Sequence, residues 1–194
     1  MPKLGMEPIR RKALVEATIA EIGAQGTLDV TVAQIARRAG MSSALAHHYF
    51  GGKEQIFLAA MRHVMSVYSA EVRGALVMAH SPKARVEAIV RASFSRRNFR
   101  TETVAAWMNF YVLAQASAEA RNLLTIYHRR LRSNLCHALR PVVGTKANLV
   151  AERIAVLIDG AYLRQSLGEG TPDSNAAVRQ ILGYLDLELP QGAE

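Results

Sequence analysis

Only one cysteine, Cys136, occurs in the 194 residues, so an internal disulfide framework is excluded and a reducing compartment is expected. Aromatic residues are scarce at 6%, and six prolines and 13 glycines are thinly spread. Half of the residues are apolar, yet no apolar run reaches about 18 residues, so no membrane span is predicted. The opening "MPKLGMEPIRRKALVE" lacks the apolar core of a secretory signal. There is no internal repeat, no low-complexity segment and no β-alternation of useful length. A phosphate loop, a Glu-x-x-His pair for a di-iron bundle and a nucleophile triad are also missing, which removes the support for a small helical enzyme. What is left is a mainly helical protein of one or two domains, expected in the cytoplasm, without a cofactor and without catalytic activity.

The formal net charge is +8 and the isoelectric point ≈ 10.1. A basic chain favours a polyanionic partner, nucleic acid above all. The excess is not concentrated at one place. Residues 1–55 hold seven Lys/Arg against five Asp/Glu, and residues 56–194 hold 17 against 11.

Apolar residues recur at helical spacing almost throughout. In the first segment Ile9, Ala13, Ala17, Ala20 and Ala24 share one side with Leu14 and Ile22 beside them, and Gly26 can end that helix. Thr31 is a suitable N-cap for "VAQIARRA", with Gln34 completing a capping box. Gly40 ends this helix after about two turns. Ser42 can cap "SALAHHYF", and Gly51-Gly52 stops it. One long helix follows over 53–78, broken by Ser81-Pro82, and further helices fit 83–99, 103–116, 118–139, 147–167 and 174–187. Pro141, Gly144 and "GEGTPD" punctuate them. The fold class is therefore all-α with about nine helices.

The stretch "QIARRAGMSSALAHHYFGGKE", residues 34–54, is the most informative. Two short capped helices joined at a glycine have the form of a helix-turn-helix at about 31–50. Val32, Ile35, Ala36 and Ala39 are placed to pack on the first helix, and Gly40 permits the positive φ of a tight turn. Ser42, Ser43 and Ala44 are small enough for the second helix to approach a groove closely, and its free N–H groups and hydroxyls suit phosphate. His47, His48 and Tyr49 lie on the next turn, and Lys53 can meet a phosphate. Adjacent histidines diverge by about 100° on a helix, which argues against a shared metal, and no Cys or carboxylate is spaced to make either one catalytic. Phe50 reads as core, and Tyr49 as core or contact.

These residues carry a resemblance. Residues 10–57 resemble the DNA-binding domain of the tetracycline-repressor (TetR) family through Thr31, Ile35-Ala36, Ala39-Gly40-Met41-Ser42, Tyr49-Phe50, Lys53 and Ile56. Ala44 stands where the family usually has glycine, Ala46 where it has leucine, and His47 where it has a tyrosine that often touches phosphate. A narrower resemblance rests on "MPKLGM" and "LIDGAYLR" and covers nearly the whole chain. It is to the choline-responsive repressors of the genes that make glycine betaine, an osmotic-stress response. Residues 70–143 match less clearly.

What the resemblance implies is a three-helix DNA-binding domain over 8–68 and a helical ligand-binding and dimerisation domain over 69–194. It implies a homodimer whose two recognition helices enter successive major grooves of a palindromic double-stranded operator, about 34–36 Å apart. The DNA contacts would come from Thr31, Ser42, Ser43, Ala44, His47, His48, Tyr49 and Lys53. The last two helices would pair the subunits. Ile154, Leu157, Ile158, Ala161 and Leu163 make the first of these apolar over a wide arc, which suits an interface helix or a buried core helix alike. Choline as effector requires aromatic faces and a carboxylate. Trp107, Phe110 and Tyr111 share one helix face, with Tyr127, Tyr162 and Phe94 as further rings and Glu102 or Asp159 as the anion. The rings read equally as plain core, and Asp159 as a cap or a partner of Arg164. Residues 83–140 carry 11 Lys/Arg against three Asp/Glu, a setting that suits a different, anionic or acyl effector unless the arginines face solvent.

Overall fold

The computed structural model describes residues 5–168 and 173–190. Its α-helices are α1 (Met6–Gln25), α2 (Val32–Arg38), α3 (Ser43–Phe50), α4 (Lys53–Val77), α5 (Pro82–Ser93), α6 (Thr101–Ala116), α7 (Ala118–Val143), α8 (Ala147–Leu167) and α9 (Ser174–Glu188). A 3-10 turn, Gly144–Lys146, joins α7 to α8, and there is no strand among the described residues. No helix among them is long and apolar enough to cross a membrane. The predicted break at "GEGTPD" falls mostly outside the described residues.

Local chemistry accounts for most boundaries. Gly26 closes α1 in the left-handed region at φ 68° and donates to the Ile22 carbonyl. Ser81 caps α5 by accepting from the Ala84 amide, with Pro82 in the first turn where its missing N–H costs nothing. Two predicted boundaries are corrected. α5 stops at Ser93 rather than at Phe99, because the Asn98 side chain turns back and donates to the Ala92 carbonyl at 2.9 Å and to Glu71 at 2.5 Å. The turn carries Phe94 and Phe99 in against Tyr162. α7 runs through Pro141 to Val143 instead of ending at Leu139. Pro141 lies in its last turn, where the helix is already built and Gly144 supplies the stop.

The inward face of α1 is centred on the flank of Leu14 and Ile22 rather than on the Ile9–Ala24 side. Its buried face is Leu14, Val15, Ala17, Thr18, Ile19 and Ile22, whereas Ile9 is 61% exposed and Ala24 is exposed. The reason is that α1 is covered from two sides, by α2 and α4 and by α6. α4 is continuous over 25 residues, about 37 Å. Its first half buries Ile56, Phe57, Leu58 and Met61 with α1 to α3, while Tyr68 and Val72 belong to the body formed by α5 to α9. Leu131, Leu135, Ile154 and Ile158 form the spine of that body, where α7 and α8 lie side by side.

α1 and α6 cross at closest range at Gly23. A Cβ placed there would stand 2.6 Å from the Glu102 backbone Cα. Nearby, Asn109 donates across the same crossing to the Gly26 carbonyl at 3.1 Å. Ordinarily alanine is the better helix former. We expect Gly23→Ala to lower stability by about 1–3 kcal/mol through overpacking. Gly74→Ala, at an open position on α4, should raise it by about 0.4–1 kcal/mol. Urea midpoints of the two variants check this; a stabilised Gly23→Ala would mean that α1 and α6 are free to separate.

Candidate DNA-reading surface and effector site

The reader is built from three backbone devices. At the start of α2, the Gln34 amide donates to Thr31 Oγ1 at 3.2 Å, and the Thr31 amide donates to Gln34 Oε1 at 2.7 Å, the reciprocal box expected from the sequence. At its end Gly40 takes φ 68°, so that the Met41 amide reaches the Ala36 carbonyl at 2.8 Å and the Gly40 amide the Arg37 carbonyl at 3.1 Å. The chain thereby reverses into Ser42, whose Oγ accepts from the Leu45 amide at 3.2 Å and starts α3. Arg38 donates to the nearly buried Glu21 at 2.5 Å, which fixes α2 on α1.

On α3 the side chains of Ala44, His47 and His48 are exposed and that of Ser43 is half-buried, while Ala46 faces inward and is fully buried. Alanine at 46 is what lets α3 sit close on the domain. Tyr49 and Phe50 are both half-buried. The expectation that Phe50 is core is thus met only in part. Arg11 from α1 lies 5.5 Å over the Tyr49 ring and 5.1 Å over the Phe50 ring, and Arg10 donates to the Tyr49 hydroxyl at 3.3 Å. Thr31 Oγ1 accepts from the Gln34 amide and donates to Gln34 Oε1, so this position offers its helix N-terminus, whereas Ser42 Oγ only accepts from the Leu45 amide and keeps its O–H to donate. Lys53 is exposed at the start of α4, its ammonium 5.5 Å from the Phe57 ring. His47 Nδ1 lies 2.9 Å from the Gly51 carbonyl. A carbonyl only accepts, so Nδ1 holds the proton. That bond fixes the ring on the end of α3 and leaves Nε2 as its outward nitrogen. Arg37, exposed on α2, was not assigned from sequence; its charge beside Arg38 was the available signal.

The predicted effector residues divide. Trp107, Tyr111, Tyr127 and Tyr162 come together, with the Trp107 ring 4.6 Å from Tyr127, 6.1 Å from Tyr111 and 6.5 Å from Tyr162. Phe110 is fully buried and, among the described residues, its one ring neighbour in the group is Trp107, with centroids 6.2 Å apart. Of the two candidate anions, Asp159 is at the cluster: it accepts from the Tyr111 hydroxyl at 2.9 Å. Glu102 lies at the α1–α6 crossing instead, 3.9 Å from Arg100. Asp159 pairs not with Arg164 but with His128, whose Nε2 is 3.3 Å from Oδ2. That nitrogen is shut off from solvent yet misaligned for a hydrogen bond. Burial, and next the Asp159 charge, hold the Tyr111 phenol well above its ordinary range. Tyr162 is likewise pushed up by burial, and donates to the Ser93 carbonyl at 2.6 Å. These hydroxyls are therefore fixed as neutral donors.

His128 and Tyr68 were missed. Tyr68 packs edge-on to Tyr127 at 5.8 Å, but from sequence it lay on a long connecting helix. His128 meets Asp159 across a helix pair, a contact with no sequence signal. A cleft of ≈ 570 Å³ between α6 and α8 reaches Tyr111 and Asp159 and, apart from Ser166, is otherwise apolar, with Met108, Val112 and Val156 in its walls. None of the 11 basic residues between 83 and 140 is buried, so their charge does not oppose a cation at the cluster.

α8 has two faces. Ile154 and Ile158 are fully buried, so these two of the predicted interface residues are core, while Leu157 and Ala161 are half-buried. On the other side Leu149, Val156 and Leu163, seven residues apart, are 52%, 61% and 51% exposed. Gly160 and Leu167 extend this apolar stripe.

Residues 14–60 match the family described as bacterial regulatory proteins, tetR family, and residues 82–190 match the C-terminal domain of BetI-type transcriptional repressors. The chain is 49% identical over 190 residues to the HTH-type transcriptional regulator BetI of Rhizobium meliloti, covering 97% of this chain and 94% of that protein. To the regulator of the same name from Brucella suis it is 47% identical, covering 97% and 96%. A transcriptional regulator from Saccharomonospora viridis, solved in complex with choline, superposes with a TM-score of 0.80 over 92% of this chain and 96% of that one; at 19% identity this is a likeness of fold.

For the reader we expect Lys53→Ala to leave the helical content unchanged and to weaken operator binding by about 1–3 kcal/mol. The salt dependence should flatten by about 0.9 in log–log slope for each lost phosphate contact. His47→Ala should also weaken operator binding while leaving the helical content unchanged, because its side chain is exposed on α3. Gel-shift titrations at several salt concentrations read both; unchanged affinities and slopes would place these side chains off the DNA.

Proposed function

Because the chain belongs to the TetR family of bacterial regulatory proteins, as a DNA-binding transcriptional repressor of the BetI type, we propose that it controls the genes for glycine betaine synthesis from choline and that choline is its effector. The observation that carries the effector is the aromatic cluster of Trp107, Tyr111 and Tyr127 beside the Asp159 carboxylate. A quaternary ammonium has no N–H to donate. It is held by ring faces and by charge, and both strengthen when water is excluded. The α6–α8 cleft ends on Tyr111 and Asp159 and gives such a cation a route to the cluster.

The subunit is read as half of a cytoplasmic homodimer. The stripe Leu149, Val156, Leu163 and Leu167 on α8 is the face assigned to the second subunit, with Gly183 and Leu187 of α9 exposed as the second helix requires. Pairing there would roof the cleft and dry the Asp159 site. Two readers, one per subunit, then fit a palindromic operator.

The coupling is mechanical. Trp107 and Tyr111 are on α6, whose first turn abuts Gly23 of α1, and Tyr68 joins the cluster to α4. A ligand that parts Trp107 from Tyr127 shifts α6 and α4, and through them the reader. Choline then biases an equilibrium between two separations of the readers by its unequal affinity for them.

Trp107→Ala should weaken choline binding at least about tenfold, since indole is the best aromatic face for such a cation, worth about 2 kcal/mol when desolvated. Asp159→Asn should weaken it comparably, and neither should alter operator binding in the absence of choline. Calorimetry decides: no heat at millimolar choline removes choline as the effector, and normal binding by Trp107→Ala moves the site. For assembly, Leu163→Glu should give monomers in sedimentation that bind the operator poorly; a surviving dimer places the interface elsewhere.

A further inference from the structure

A second opening touches the aromatic cluster from the opposite side, between α4 and α7. It is a groove of ≈ 320 Å³. Its walls are mostly apolar, with Met65, Val72 and Leu76 from α4 and Ile126 and Leu131 from α7 beside the neutral polar Ser69 and Asn134, and its floor is the edge-to-face pair Tyr68 and Tyr127. Its charge is opposite to that of the α6–α8 cleft. No carboxylate lines it, and two guanidinium groups do, Arg73 from α4 and Arg130 from α7. Among the described residues neither has an ion-pair or hydrogen-bond partner. On the same helices Arg62 is paired with Glu119 and Arg132 with Glu152 at 3.6 Å, and Arg129, which also has no partner among the described residues, lies outside the groove.

An apolar groove of this size with a few convergent polar groups is the usual form of a small-molecule site. Two unpaired guanidinium groups on facing helices repel a quaternary ammonium. A carboxylate, by contrast, is matched by the guanidinium fork, and the bond is charge-assisted. We propose that this groove is a second ligand site, taking a small carboxylate with an apolar acyl or aryl body. The carboxylate sits between Arg73 and Arg130, and the body lies along Ile126 and Val72 onto Tyr68 and Tyr127. The site has its own charged groups and does not rest on the choline reading, yet it shares a wall with that cluster, because Tyr127 packs on Trp107 as well as on Tyr68. A ligand here also bridges α4, the helix that begins at the reader, to α7. Occupancy of one site therefore changes affinity at the other, and reciprocally.

Calorimetric titration of the full chain with octanoate, with octanol as the uncharged probe of equal length, tests this. Octanoate should bind saturably, once per subunit, and at least about tenfold more tightly than octanol, the value of one good charge-assisted contact. The double variant R73Q/R130Q changes two exposed side chains, so the fold should be kept as judged by circular dichroism. It should bring octanoate down to the level of octanol. Ile126→Glu, which places a carboxylate in the wall, should abolish octanoate binding while leaving choline binding within about threefold. Absence of saturable octanoate binding overturns the proposal. So does octanoate binding that R73Q/R130Q leaves unchanged. Loss of octanoate binding in Trp107→Ala, with one-for-one displacement by choline, also overturns it and puts the carboxylate in the aromatic cluster.

Discussion

The crossing of α1 over α6 at Gly23 is the contact on which the rest of the molecule depends. The missing side chain lets the two backbones meet, so the first turn of α6 rests directly on the reader's first helix. α4 gives the second tie, because a single helix is core to the reader at Met61 and core to the body at Val72. A reader held at two points follows its body. A loose linker would dissipate any shift made at a ligand site, whereas close-packed helices transmit it, since interiors of this density yield little.

Charge is organised by depth. The surface is basic enough to attract a polyanion, and the arginines of α5 to α7 contribute to that field without entering the core. Inside, the one carboxylate at the aromatic cluster is held by Tyr111 and set against His128. The surface excess of arginine and a cation site at the cluster, as proposed, are therefore compatible, because solvent screens the first and burial strengthens the second.

The reader follows another logic. Its side chains are few and small, and most of its precision lies in caps. Thr31, Gln34, Gly40 and Ser42 fix where α2 ends and α3 begins, and Arg38 on Glu21 fixes their height above α1. With the backbone so determined, Ala44 and His47 are presented outward by helical geometry alone.

These devices are local, and that is why the sequence by itself determined them. A cap bonds within three residues and a left-handed glycine needs only its own φ, so the helix-turn-helix, the span of α8 and the all-helical class were legible in the order of residues. The aromatic residues of α6 were legible as a face, but which partners they met was not. Trp107 reaches Tyr127 and Tyr162, Asp159 reaches Tyr111 and His128, and Glu102 is drawn off to Gly23, each across helices far apart in the chain. Such pairings depend on helix crossings, to which a period of 3.6 residues is blind. The same holds for α8, where periodicity showed one broad apolar arc and only the packing of α7 divided it into a buried Ile154–Ile158 side and an open Val156–Leu163 side. It holds too for the early end of α5, which a side chain five residues further on, Asn98, decided by folding back onto the helix.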